Sequence, residues 1–259
     1  MTVISQKNVA GKAHSPRAAS DPLPEIDVGE FRKVVRSRRS IRRFTDEPVP
    51  DSILDECLEL AMLAPNSSNL QPWEFYVVRT PELRKKLATA CLGQNAAKTA
   101  PVLIGIVART RTWRENSQRN LDEWPEERRP PIVEKYYSKL APFHYSQGPL
   151  GLFGLAKKAA GFVAGLSRPV PRGPWSPAEM KIWATKSTAL AAQNLMLALR
   201  AHGYDSCPME GFDECRVQRL LGVPEDGLVV MVLAAGKRAE NGVYHRQYRF
   251  RPEDFIHRL

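Results

Sequence analysis

The chain has few cysteines, few histidines and no long apolar run, and each shortage excludes a class of protein. Its four cysteines (Cys57, Cys91, Cys207, Cys215) show no paired spacing of the kind that holds a metal. A chain of 259 residues needs no disulfide staples, since it can bury roughly 75% of the surface its unfolded form exposes. A reducing cytoplasm is therefore the expected compartment. The histidines (His14, His144, His202, His245, His257) are scattered, with no metal-type spacing. No uncharged apolar stretch reaches the roughly 18 residues of a membrane span. The opening MTVISQKNVAGKAHSPRAAS has no apolar core, so no signal peptide is expected. There is no G-x-G-x-x-G after a strand and no G-x-x-x-x-G-K-[ST], which argues against a Rossmann nicotinamide site and a P-loop.

Acidic residues are also in the minority. Lys and Arg number 38 against 28 Asp and Glu, a formal charge of +10. The excess is concentrated between Arg32 and Arg43, where Arg32, Lys33, Arg36, Arg38, Arg39, Arg42 and Arg43 stand with no acid among them. Such a cluster seeks an anion: a nucleic-acid backbone, a lipid surface, or the phosphate of a small cofactor.

Residues 1–26 are polar and aperiodic and read as a mobile tail or arm. Asp27 with Glu30 resembles a capping box and opens a helix to about Arg36. Pro50-Asp51 opens a second, with Ile53, Leu54, Cys57, Leu58 and Ala61 at helical spacing, and Ala64-Pro65 stops it. WEFYVVR and VLIGIVA (Val102–Ala108) read as strands, with a helix after Thr80-Pro81 between them. Residues 109–175 are rich in bases and prolines and too long for a loop, so they should form a lid-like excursion with helices of its own. Lys157 and Lys158 there flank apolar turns, which suits a lid helix or a helix lying on a membrane. Ser176-Pro177 opens a long helix to about His202, apolar nearly all round at its centre. Strands near Tyr204–Cys207 and along LVVMVLAAG complete an α+β chain, a sheet flanked by helices in a single domain over residues 27–259.

Four constellations carry chemistry. Arg38-Arg39-Ser40-Ile41-Arg42 offers guanidinium forks and a hydroxyl to a phosphate, or is a solvated basic loop. Pro65-Asn66-Ser67-Ser68-Asn69-Leu70-Gln71-Pro72 is a polar rim pinned by prolines. It suits an uncharged heteroaromatic ring, and equally a turn-rich connector. Asn95-x-x-Lys98, if helical, sets an amide and an ammonium on one face. Pro208-Met209-Glu210-Gly211-Phe212 ends a strand with a glycine that permits close approach of a flat ligand.

These segments, in this order, resemble the flavin-dependent nitroreductase family. RRSIR matches its R-x-S-x-[RK] signature and PNSSNLQPW its P-S-S-x-N-x-Q-P-W loop. N-x-x-K and PMEGF match its second basic site and its P-x-E-G-F turn. The likeness covers about Phe31–Ala108 and Trp175–Leu259 and leaves the excursion without a template. It implies a central, mostly antiparallel sheet and an intertwined homodimer with FMN at the subunit interface. It also implies NAD(P)H as co-substrate and a small aromatic or conjugated acceptor (nitroaromatic, quinone or enone) reduced in ping-pong order.

Residue by residue, the resemblance assigns Arg38, Arg39, Ser40 and Arg42 to the FMN phosphate, with Arg249 and Arg251 among the C-terminal candidates to complete that grip. Asn95 and Lys98 go to the pyrimidine side of the ring, where reduction places negative charge. Glu210 and Gly211 go to the reactive edge, Pro65, Asn66, Ser67 and Asn69 (the stretch Pro65 to Asn69) approach from the partner, and Gln71 and Met209 count among the cofactor contacts. Asn66 departs from the family's usual Ser, though either side chain can donate. No ionisable side chain is obligatory for catalysis. The competing reading is a nucleic-acid-binding or regulatory protein using Arg32–Arg43. Only Phe31 and Phe44 flank that cluster, where base stacking would call for interleaved aromatics.

Overall fold

The computed structural model describes residues 24–259, so most of the expected N-terminal tail lies outside the described residues. Helix α1 (Val28–Ser37) begins where the Asp27 carboxylate accepts from the amides of Gly29 and Glu30. Helix α2 (Asp51–Met62) buries Leu54, Cys57 and Ala61, one stripe of a 3.6-residue period. Strand β1 (Trp73–Val78) leads to α3 (Pro81–Ala90), then α4 (Asn95–Thr99) and β2 (Val102–Arg109).

Residues 109–175 form the expected helical excursion. It contains α5 (Trp113–Asp122), α6 (Pro131–Lys135), a wide turn at Tyr136–Leu140, α7 (Ala141–Tyr145) and α8 (Leu152–Ala164). The long α9 (Pro177–Ala201) is capped by Ser176 and followed by β3 (Asp205–Met209), α10 (Glu214–Leu221) and β4 (Gly227–Gly236). The third strand reaches two residues beyond the expected Cys207 and contains Pro208. Proline is tolerated because β3 is an edge strand.

The strand order is β1-β2-β4-β3, with each neighbouring pair antiparallel. Side chains of β2 alternate between two cores. Val102, Ile104 and Ile106 pack with α2 and α9, whereas Leu103 and Val107 pack with the α3 and α10 side. The architecture is α+β, a sheet between helical layers. Burying each of Leu195, Leu199 and Ile104 contributes about 1.5–3 kcal/mol relative to exposure. A Cβ on Gly105 would come within 2.3 Å of Leu221 Cδ1 on α10, so that side chain would have to turn aside to admit any larger residue.

Candidate active site

Residues 40–45 form a ribbon that bridges β3 at Ser206 and then runs against residues 237–242, just after β4. Ile41 N donates to Ser206 O (3.0 Å) and Arg42 N to Gly242 O (2.7 Å), while Ala239 N donates back to Arg43 O (3.0 Å). Ile41 and Phe44 point inward and are buried. The ribbon and the segment Val243–Arg249 enclose a cavity of about 240 Å³, lined by Arg38, Arg39, Ser40, Arg42, Tyr244 and Arg249 among others. Arg39 is tied to its wall by a 2.6 Å bond to His245 O, and Arg42 reaches Cys207 Sγ at 3.2 Å.

None of Arg38, Arg39, Arg42 and Arg249 has a carboxylate ion-pair partner among the described residues. The nearby Asp205 is already paired with Arg200 (3.0 Å) and Arg238 (2.8 Å). Burial, then repulsion from Arg249 and Arg39, pulls the Arg38 pKa below its ordinary value. Guanidiniums crowded around a small cavity without an acid are a site short of an anion, and the phosphate of FMN fits that charge. Arg251 lies outside this cavity and pairs with Asp254 at 3.1 Å.

Gln94, just before α4, donates to Gly211 O (2.7 Å), which fixes the Met209–Phe212 turn beside that helix. Asn95 donates to the Tyr244 hydroxyl (3.4 Å), linking α4 to the wall of the basic cavity. Met209 is buried, so its side chain supports the turn from below, whereas Glu210 and Gly211 are exposed. The expected common face for Asn95 and Lys98 is not what their side chains share. Lys98 lines a separate groove against α3, with Pro81, Arg84 and Lys85. A helix of five residues lets a long side chain lean to either flank.

The loop after α2 is held in a costly conformation, with Ser68, Asn69 and Gln71 at φ of 62°, 48° and 42°. Its restraints come from the excursion. Ser67 Oγ lies 2.9 Å from the Tyr145 hydroxyl, and Ser68 Oγ lies 2.6 Å from that of Tyr136. The Tyr137 hydroxyl donates to Ser68 O at 3.1 Å. Within the loop, Asn66 Oδ1 accepts from Gln71 N at 2.8 Å.

The loop's two halves face different spaces. Pro65, Asn66 and Ser67 line a cavity of about 680 Å³ with Trp183, Lys186 and Leu190 of α9 and with His144 and Arg172 of the excursion. Asn69 and Gln71 line a wider cleft of about 1020 Å³ beside α5 and β1. There the Asn69 amide donates to Asn120 Oδ1 (2.8 Å). The basic cavity and the cavity of Pro65–Ser67 have no lining residue in common.

The family model of the Nitroreductase family matches residues 35–237. The chain belongs to the nitroreductase family. It is accordingly an oxidoreductase with FMN as cofactor. It is 32% identical, over 85% of its length and 91% of the relative's, to a protein named NADH dehydrogenase from Thermus thermophilus. Among solved structures it superposes with a TM-score of 0.65 on an FMN complex from Exiguobacterium sibiricum, at 23% identity, covering 88% of this chain and 97% of that one. It also resembles an enone reductase of gut-bacterial fatty acid saturation metabolism (TM-score 0.63, 23% identity, 84% and 93% covered).

In this nitroreductase-family chain, His144, Arg172, Trp183 and Lys186 are cavity residues that sequence reasoning did not single out. His144 and Arg172 stand in the excursion, where no motif or periodicity marks them. Burial and the nearby Lys157 charge pull the His144 pKa down, so its imidazole is neutral at physiological pH. Burial pushes Cys57 up to about 12 and Cys91 to about 11, and it raises Cys207 despite the Arg42 contact, so none of these thiols is poised as a nucleophile. The basic cluster does not act as one surface. Arg32 and Lys33 are exposed on α1, with Lys33 paired to Glu30, whereas Arg38 and Arg42 enter the cavity.

Proposed function

We propose that the chain works as an intertwined homodimer in which the basic cavity of one subunit and the Pro65–Ser67 cavity of the other form one site. The observation that carries this reading is the set of four guanidiniums around a cavity of about 240 Å³, with no carboxylate ion-pair partner among the described residues. Support for the dimer is that the two sets of candidate residues line separate cavities within one chain. Bound FMN supplies two-electron transfer, from NAD(P)H to a small nitroaromatic, quinone or enone acceptor in ping-pong order.

The residues then divide the work. Arg38, Arg39, Ser40, Arg42 and Arg249 hold the phosphate by charge-assisted hydrogen bonds. Asn95 donates toward the ring's pyrimidine side, and the Lys98 ammonium, on a flexible stem, swings there to balance the negative charge of the reduced state. Gly211 leaves room for a flat ring beside its turn, and Glu210 stands at the reactive edge. Pro65, Asn66 and Ser67 cover the ring from the partner, while Asn69 and Gln71 brace the loop against α5. Ile182, Trp183 and Leu190 give the acceptor's place an apolar wall. The unpaired thiols support a reducing, cytoplasmic setting.

An absorption spectrum of the purified protein, followed by turnover of NADH and NADPH against a panel of nitroaromatics, quinones and enones, tests the reading. A flavin spectrum with turnover of at least one conjugated acceptor is expected. Colourless protein that does not take up added FMN would overturn it.

A further inference from the structure

Helix α8 is folded with its apolar face outward. Gly154, Lys157 and Gly161 face the protein, whereas Leu155, Phe162 and Val163 are 65%, 65% and 66% exposed. An ordinary surface helix buries its large apolar stripe and exposes its lysines. Here the inner face has no room for large side chains. A Cβ on Gly154 would lie 1.9 Å from the Trp175 carbonyl oxygen, and one on Gly161 would lie 2.5 Å from the Trp175 ring.

Lys157 is locked between the glycines. Its ammonium donates to the carbonyls of Phe143 (2.8 Å), His144 (2.9 Å) and Ser146 (2.6 Å), and it lies 4.9 Å from the Phe153 ring centroid. Rolling the helix to hide its leucines would break these bonds and drive Trp175 out. The outward apolar face is thus a consequence of specific packing. Leu152 on the helix and Leu150 and Leu166 just before and after it are exposed as well, and the exposed Phe143 ring stacks edge-on against Phe153 at 5.6 Å.

Charge decides what covers it. From Lys135 to Ala178 the chain contains no Asp or Glu, but it contains Lys135, Lys139, Lys157, Lys158, Arg168 and Arg172. Lys139 and Arg168 are exposed, and Lys158 keeps partial exposure while bridging to Glu179 at 2.7 Å. Apolar side chains with an excess of bases, of which Glu179 offsets only Lys158, match the boundary of an anionic bilayer. A two-fold contact of the patch with itself would set base against base. At 13 residues α8 is too short to cross a membrane, and among the described residues no helix is long and apolar enough to do so.

We propose that the outward face of α8 and its flanking turns docks this protein peripherally onto an anionic lipid surface. Leu152, Leu155, Phe162 and Val163 enter the acyl boundary, and Lys139, Lys158 and Arg168 meet the lipid phosphates. Docking needs no flavin chemistry and stands apart from the active-site reading.

Co-sedimentation of the full-length protein with vesicles tests it, using phosphatidylcholine alone and phosphatidylcholine mixed with phosphatidylglycerol. Binding to the anionic vesicles alone, weakened by added salt, is expected. Leu155→Glu with Phe162→Glu should lower the bound fraction on the order of tenfold. Lys139→Glu with Arg168→Glu, which leaves every apolar contact in place, should lower it as well. Absence of wild-type binding to anionic vesicles would overturn the proposal. So would equal binding by wild type and both variants. If the Leu155/Phe162 variant changes the sedimentation mass of the free protein and not its vesicle binding, the face is a self-association surface and the proposal also fails.

Discussion

Tyr145 and Ser67, 78 positions apart, meet hydroxyl to hydroxyl at 2.9 Å. The same phenol lies 2.9 Å from Ser68 Oγ, so one buried side chain of the excursion holds the loop where its backbone is strained. Residues in sparsely populated backbone regions persist only when their surroundings over-determine them. The excursion therefore braces the candidate loop and walls the cavity that Pro65–Ser67 line.

Tyr145→Phe removes that anchor and keeps the ring in the core. Loss of the hydrogen bonds should cost about 1 kcal/mol of stability. Flavin dissociation should also accelerate if the loop covers a flavin. Thermal melts and flavin release by fluorescence measure both. Wild-type behaviour in each would show that the loop keeps its shape without the Tyr145 hydroxyl, on its bonds to Tyr136 and Tyr137.

Arg38→Ala and Arg249→Ala should each weaken FMN binding roughly ten- to hundredfold, the worth of a charge-assisted contact. Arg251→Ala should leave it unchanged, because Arg251 is engaged with Asp254. Flavin content after gel filtration separates the cases. The flavin-free Arg38→Ala protein should melt no lower than the flavin-free wild type, since one of several mutually repelling cations is gone.

Lys98→Ala should lower the midpoint potential of the flavin, because the anionic reduced state loses a partner. An interaction of about 1–2 kcal/mol corresponds to roughly 20–45 mV for two electrons. Spectroelectrochemical titration reads this directly. An unchanged potential would mean that the ammonium stays in its groove against α3.

Subunit exchange probes the shared site. Arg38→Ala damages the basic cavity and Ser67→Glu damages the loop cavity, so each homodimer should bind FMN poorly. A mixed dimer carries one intact site and one doubly damaged site, and about half of the flavin binding should return. Heterodimers that form and recover nothing would place the loop at its own chain's flavin.

Asp226 sits almost buried against Arg109 at 2.8 Å and accepts from Arg111 N. Burial pushes its pKa up, but the Arg109 bond and charge and the Arg111 amide outweigh it, so the pKa falls below the ordinary carboxylate value. A carboxylate depressed in the folded state stabilises at any pH above its unfolded pKa of about 3.9, and that contribution disappears as pH falls through the folded value. Asp226→Asn should cost about 1.5–3 kcal/mol near pH 7, because Arg109 loses one charged partner and keeps Glu74 as the other. The difference in melting temperature from wild type should shrink as pH drops below about 4. A constant difference from pH 7 to 3 would rule out the ion pair as its source.

Much of the architecture was legible in the residues themselves. The Asp27 and Ser176 caps, the period of α2 and the alternation in β2 depend on side chains within a turn or two, so neighbours alone dictate them. The four candidate segments were also legible as ordered motifs, because a phosphate or a flat ring demands particular donors close together in sequence. Tertiary structure decided the rest. Nothing in the sequence separates Arg249 from Arg251, yet only Arg249 lines the basic cavity, because the chain from Val243 folds back along the ribbon of Ser40 and Ile41. Asn95 and Lys98 share a helix but not a space, and Pro65–Ser67 parts from Asn69 and Gln71, because α3, α5 and α9 arrive from distant parts of the chain. The outward apolar face of α8 is set by Trp175 and the three carbonyls around Lys157. Local hydrogen bonding and periodicity are written in consecutive residues. Which side chains meet across a cavity depends on how whole elements pack, and that is settled only when the chain closes on itself.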